Sequence, residues 1–209
     1  MEANKLTESK IMQVLDWCYD KAVNGLPGME SAYELAENYI NKSKSIDEAI
    51  DKFIIWQQAK CATSGFITGL GGILTLPIAV PANISSVIYI QIRMVATIAI
   101  MCGYDLEDDE VKTLVYVALT GQSAVEILKQ VGIKIGEKIG ENLIKKIPFE
   151  IVKQINKLVG FRLVTKFGQK GVINLGKCVP IVGGVIGGTV DAVGALTIGK
   201  TAKKIFYSI

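Results

Sequence analysis

The chain has 209 residues, of which half are apolar, and its mean hydropathy is +0.37. It contains no histidine, which excludes Ser-His-Asp triads, histidine bases and histidine metal ligands. The net charge of +3 is unevenly divided: residues 1–110 carry 15 acidic and 8 basic residues (net −7), whereas residues 111–209 carry 5 acidic and 15 basic ones (net +10).

These numbers allow one substantial hydrophobic core. The charge asymmetry predicts either an anionic partner for the second half or mutual attraction of the two halves. The four cysteines lie far apart in the sequence, which indicates reduced thiols in a cytoplasmic protein and neither a metal site nor a cofactor. The N-terminus does not have the pattern of a signal peptide.

Three helices are predicted before residue 61. Thr7 is placed as the N-cap of the first, which ends near Gly25. The second covers residues 30–41, and Ser45 with Glu48 forms a capping box for the third. We interpret residues 1–44 as a helical hairpin added to a domain over residues 45–209.

A glycine-rich stretch and two prolines precede the most apolar helix, predicted over residues 81–102. Its length could span a bilayer, but Gln91 and Arg93 near its middle oppose insertion. We therefore expect this helix to be buried inside the protein. The acidic run at 105–110 suits the start of the next helix, over 111–119.

Residues 122–147 are predicted to form a basic helix. It is either an ordinary packed helix or one that lies on an anionic membrane surface. The lysines that would make this contact are Lys129, Lys134, Lys138, Lys145 and Lys146. Glycine is unfavourable inside a helix, so the four-residue spacing of Gly132, Gly136 and Gly140 predicts close helix packing.

A short helix is predicted from Pro148 to Gly160, and a last long helix over residues 180–200. Gly183, Gly187 and Gly199 belong to a small-residue stripe along the last helix, a pattern that allows helices to approach closely. Asp191 lies in that stripe, where an unpaired carboxylate is costly. We predict that it pairs with Arg93, or as second choice with Lys60.

No convincing alternation of apolar and polar residues is present, so the predicted fold is all-α. It is a compact single-domain helical bundle, with glycine-mediated packing around the buried helix at 81–102.

The stretch GALTIGKT at 194–201 matches the phosphate-binding pattern GxxxxGKS/T. A P-loop needs a preceding strand and a following helix, whereas only eight residues follow Thr201. No catalytic residue is otherwise indicated. The basic half lacks a recognisable nucleic-acid-binding module, so nucleic acid is not expected as a partner.

The order of glycines and prolines resembles the EcsC family. The residues that carry this likeness are QAK at 58–60, GFITGLGG at 65–72, PAN at 81–83, QIR at 91–93, GYD at 103–105, KFGQKG at 166–171 and PIVGG at 180–184. The resemblance covers about residues 45–207 and implies a bacterial helical protein. The resemblance also implies a connection to transport or secretion. It supplies no active-site residues.

The sequence therefore favours a non-enzymatic protein on the inner face of the cell membrane, bound to an anionic membrane surface or a membrane complex. A stronger form of this hypothesis is an effector that inserts into and permeabilises membranes. The alternative is a soluble helical module that binds an apolar ligand or a protein partner. A P-loop NTPase is the third possibility, and homo-oligomers are compatible with each.

Overall fold

The structure is a computed structural model, and it describes residues 6–61, 80, 82–133, 147–167 and 186–207, with the side chains of 61, 82–83 and 186–193 excepted. These ranges are mainly helical and contain no strand, which confirms the predicted all-α fold. The helices are α1 (Glu8–Asn24), α2 (Ala32–Asn41), α3 (Ile46–Cys61), α4 (Ala82–Met101), α5 (Asp109–Leu119), a 3-10 turn (Gly121–Ser123), α6 (Ala124–Gln130), α7 (Phe149–Phe167) and α8 (Ile186–Phe206).

Side-chain caps fix the start of the first three helices. Thr7 Oγ1 accepts a hydrogen bond from Lys10 N at 3.2 Å, as predicted. Ser31 and Glu34 form a complete capping box at α2, which the sequence analysis had not identified. At α3, Ser45 Oγ caps the Glu48 amide at 3.2 Å. The Glu48 carboxylate accepts from Lys44 N at 2.7 Å, so this box is displaced by one residue.

Helix α4 is the centre of the bundle. It packs against α1, α2, α3, α5 and α8. Ile84–Met101 is apolar and long enough to cross a membrane, but 83% of that stretch is buried in the fold. This confirms the expectation of a helix covered by protein. Gly103, with φ of +85°, ends the helical region in a conformation that favours glycine.

The predicted helix over residues 122–147 is wrong as a continuous element. Helix α6 ends at Gln130, because Gly132 adopts a left-handed conformation with φ of +80°. Ile133 N donates to Leu128 O at 2.8 Å and Gly132 N to Lys129 O at 3.1 Å, the two bonds of a Schellman motif. Gly132 is thus a helix-terminating glycine and not a helix-packing one.

Helix α7 also differs from its prediction, since it continues past Gly160 to Phe167. Gly160 is buried, and a Cβ there would lie 3.6 Å from Glu8 Cβ and 3.7 Å from Met12 Sδ. The residue therefore marks a close contact with α1 and does not end the helix.

The last helix, α8, packs against α3. A Cβ added to Gly199 would lie 2.9 Å from Ile54 Cγ1, so α8 and α3 approach each other closely at this glycine. Lys203 Nζ lies 2.7 Å from Asp47 Oδ1 and 2.6 Å from Asp51 Oδ1, which ties the end of α8 to the outer face of α3.

The first helices belong to the same core as the rest. Ile11, Leu15 and Cys18 of α1 are fully buried, and α1 packs against both α4 and α7. The boundary predicted between residues 44 and 45 does not appear as a break in this hydrophobic cluster.

Candidate functional site

Arg93 is the one charged residue that is buried in the described part of the chain. It lies on α4 with 3% of its surface exposed, and its Nη1 donates to Glu30 O at 3.0 Å. Its guanidinium carbon lies 5.7 Å from the centre of the Tyr89 ring. Removing a guanidinium from water is costly, so the fold must compensate this charge locally.

Lys60 is a near neighbour of Arg93. Burial lowers the pKa of Lys60, the positive charge of Arg93 lowers it further, and Glu30 counteracts both. Lys60 Nζ lies 3.4 Å from the centre of the Trp56 ring, and Trp56 is 36% exposed. The two cations are therefore neighbours where the end of α3 packs on α4.

Two uncharged polar side chains on the same helices are buried without well-formed hydrogen bonds. Gln57 is 1% exposed, and neither its amide oxygen nor its amide nitrogen has a partner within the described ranges. Tyr89 is fully buried, and its hydroxyl has no partner of good hydrogen-bond geometry there. Burial raises the pKa of Tyr89, and both the Arg93 charge and a weak side-chain hydrogen bond with Arg93 oppose that rise. Gln57, Lys60, Tyr89 and Arg93 are called the Arg93 cluster below.

The predicted partner of Arg93 falls outside this description. The backbone of Asp191 belongs to α8, which packs against α4, but its side chain is among those not described. The Arg93–Asp191 pairing therefore stays a prediction. Lys60, the second-choice partner of Asp191, lies beside Arg93.

A second feature, on the surface, is the outward-facing side of α7. Phe149, Lys153, Lys157 and Phe161 are all exposed and follow one another at four-residue spacing. They consequently lie along one side of the helix. Phe149 and Phe161 are 60% and 57% exposed, which is unusual for phenylalanine. These four residues are called the α7 outer face.

Charge and aromatic groups are combined on this face. Lys153 Nζ lies 4.3 Å from the centre of the Phe149 ring. Glu150, also exposed, is the acidic residue in the first turn of α7, where it suits the helix dipole. This side of α7 thus carries the two kinds of group, basic and aromatic, that helices use when they lie on a bilayer surface.

Of the five lysines predicted to contact an anionic surface, the structure describes Lys129. It is exposed in the last turn of α6, and α6 packs against α7. An ion pair of 2.8 Å between Arg162 and Glu126 joins these two helices. Lys134, Lys138, Lys145 and Lys146 lie outside the described residues, as do Gly136, Gly140 and Gly183. Gly187 is described only as backbone within α8.

An acidic groove lies between α1 and the start of α5. It encloses about 250 Å³, and its carboxylates come from Asp16, Asp20, Glu107 and Asp109. Asp16 is already engaged, because it lies 2.7 Å from Lys112 Nζ and accepts from the Tyr116 hydroxyl at 2.9 Å. Within the described ranges, no group of three or more His, Cys, Asp or Glu side chains could hold a metal ion.

Comparison with known proteins identifies the family of the chain. A family model described as the EcsC protein family matches residues 3–207. The chain belongs to the EcsC family. The match includes α1 and α2, so it extends over the helices that the sequence analysis had set apart. No curated protein and no solved structure matches this EcsC protein.

The P-loop-like stretch at 194–201 of this EcsC protein lies inside α8. Thr201 Oγ1 donates to Thr197 O at 2.8 Å, a bond within the helix. The phosphate-cradling geometry requires a loop whose amide groups point at the ligand, and amides inside a helix are already bonded. This part of the chain therefore does not have the structure of a P-loop.

Proposed function

We propose that this EcsC protein is a non-enzymatic protein that binds peripherally to an anionic membrane surface. The single observation that supports the proposal best is the α7 outer face. Lysines add Coulombic attraction to anionic lipids, and phenylalanine rings gain free energy when they leave water for the interfacial region.

The sequence around this face supports the same function. Lys129 and α6 lie beside α7, and the segment between these helices carries the other four lysines predicted to contact the membrane. Each lysine close to an anionic surface contributes about 1 kcal/mol, so several are needed for stable binding. We propose the inner face of the cell membrane as the location, because that leaflet is the anionic one.

Vesicle flotation tests the proposal. The full chain is mixed with vesicles of phosphatidylcholine alone or with added phosphatidylglycerol, and the protein that floats is measured. We expect flotation with the anionic vesicles, and we expect added salt to weaken it. Equal binding to both vesicle types would contradict a role for the lysines.

Matched variants locate the contact. Lys153→Glu with Lys157→Glu should weaken binding by at least about thirtyfold, since two contributions of about 1 kcal/mol are lost. Phe149→Ala with Phe161→Ala should weaken it at all salt concentrations. The control is Lys42→Glu with Lys44→Glu, which reverses two exposed lysines between α2 and α3. If the control reduced binding as much as the α7 variant, the α7 outer face would not be the contact surface.

The stronger form of the hypothesis, in which the protein permeabilises membranes, has its own test. Release of a trapped dye from the same anionic vesicles would support it. Flotation without dye release would leave peripheral binding as the function.

A further inference from the structure

The order of the helices around α4 places α3 opposite α7. Each helix packs against the next in the order α7, α1, α2, α3, α8 and α5, and α5 packs in turn against α7. Helix α3 is thus three positions from α7 in either direction. A bilayer that contacts the α7 outer face therefore leaves the outward side of α3, with the adjoining side of α8, facing away from it.

The outward side of α3 carries three exposed apolar side chains, those of Ile55, Trp56 and Ala59. Ile55 is 64% exposed, the highest value among the large hydrophobic side chains described. Residues three and four positions apart are neighbours on a helix, so Ala59 lies next to both of the others and the patch is continuous. An apolar patch of this kind gains free energy when it leaves water.

Helix α8 runs antiparallel to α3 and brings a lysine beside this patch. Gly199 of α8 contacts Ile54, and Lys203, one turn later, pairs with Asp51, which lies one turn before Ile54 in α3. The exposed Lys200 lies one turn before Lys203 and therefore on α8 at the level of the apolar patch.

The charge of this surface is positive. The described side chains of α3 and α8 include five lysines and three acidic residues, a net charge of +2. All three acidic residues are paired with lysines of these helices, and Lys200 takes no part in those pairs. Lys204 follows Lys200 by one turn and is also exposed. Ile55, Trp56, Ala59, Lys200 and Lys204 are called the α3–α8 face below.

We propose that the α3–α8 face binds a second anionic bilayer, so that this EcsC protein tethers two membranes. The inference rests on the proposed function, because the α7 outer face supplies the first contact. The positive charge is complementary to anionic head groups, and each lysine near them strengthens binding about fivefold. Two lysines and a small apolar patch bind weakly by themselves, so this face acts once the first contact has concentrated the protein on a membrane.

Clustering of vesicles tests the tether. The full chain is added to vesicles of phosphatidylcholine with phosphatidylglycerol, and the particle size is followed by dynamic light scattering. We expect the unaltered chain to cluster them. Lys200→Glu with Lys204→Glu should slow clustering by about thirtyfold and keep flotation, since two lysine contributions are lost. Ile55→Ser should also slow it. The control is Lys42→Glu with Lys44→Glu, which makes the same charge change before α3 begins and should leave clustering unchanged.

Further outcomes separate the tether from the proposed function. The Lys153→Glu, Lys157→Glu variant should lose both flotation and clustering. Flotation of the unaltered chain without clustering, or equal clustering in the unaltered chain and both variants of the α3–α8 face, would overturn the tether alone. Absence of flotation would overturn both proposals.

Sedimentation velocity without vesicles identifies the other occupant of this face, a second copy of the chain. We expect a monomer, and thermal unfolding should show that the variants are folded, because the substituted side chains are exposed. A dimer in the unaltered chain that disappears in Ile55→Ser would overturn the proposal, since the face would then be covered by protein and not by a bilayer.

Discussion

The α7 outer face and the Arg93 cluster contain the same kinds of group in opposite surroundings. On the surface, Lys153 Nζ lies 4.3 Å from the Phe149 ring. In the interior, Arg93 lies 5.7 Å from the Tyr89 ring and donates to a backbone carbonyl. A contact between a cation and an aromatic ring therefore does not by itself indicate what a region does.

The degree of burial distinguishes them. An exposed lysine keeps its hydration and contributes little to folding, so it is available for a charged partner. A buried guanidinium has lost its hydration, and its contacts must replace it. We accordingly expect variants of the α7 outer face to change binding with little effect on stability, and variants of the Arg93 cluster to change stability.

The largest expected effect is that of Arg93→Ala. It removes the hydrogen bond to Glu30 O and leaves an unfilled space in the core, so the free energy of unfolding should fall by about 3 kcal/mol. Urea denaturation measures this, with Lys157→Ala as the surface control expected to stay within about 0.5 kcal/mol. Similar losses in the two variants would remove the contrast between the regions.

Asp191→Asn is expected to have the next largest effect. If Asp191 supplies negative charge to Arg93, the substitution should lower the free energy of unfolding by about 1–3 kcal/mol. The chain has two arginines, Arg93 and Arg162, so labelling with an arginine reagent compares Arg93 with a partly exposed reference. Unchanged stability together with unchanged Arg93 labelling would show that the pairing is wrong.

A smaller effect is expected where α8 packs on α3. In Gly199→Ala the new Cβ would lie 2.9 Å from Ile54 Cγ1, so overpacking of about 1–3 kcal/mol should exceed the gain in helix propensity of about 1 kcal/mol. Gly194→Ala on the same helix meets no described atom within 4 Å and should raise the free energy of unfolding. Thermal unfolding of the pair measures the difference. If both variants gained stability, α8 would not be held closely on α3.

The fold was largely predictable because its signals are local. The apolar run that became α4, the Thr7 cap and the stop at Gly103 each depend on a few neighbouring residues. Glycine was harder to interpret, since one residue type serves three purposes in this chain. Gly132 ends a helix, Gly160 packs against α1, and Gly199 lets α8 approach α3, and spacing alone does not distinguish these cases.

The candidate sites were less predictable. Arg93 was identified because a charge inside an apolar run is visible in the sequence. Gln57 and Tyr89 were not, because their burial depends on which helices surround them. The α7 outer face was missed because the helix was predicted to end at Gly160, which separated Phe161 from Phe149. A helix continued past that glycine would have shown the four-residue spacing.

The smallest expected effect is that of burial on the pKa of Lys166, which shares α7 with the exposed Lys153 and Lys157. Although its surface as a whole is exposed, its ammonium donates to Leu119 O at 3.1 Å and burial lowers its pKa to about 8. The unfolded chain then holds this proton up to a higher pH than the folded protein does. The free energy of unfolding should therefore rise as the pH increases from about 8 towards 10.5. We expect a rise below about 1 kcal/mol, because the side chain is partly solvated.

Urea denaturation across this range should show the rise in the unaltered chain and a weaker one in Lys166→Met, whereas Lys157→Met should behave as the unaltered chain does. The same slope in all three proteins would mean that Lys166 titrates as a surface lysine.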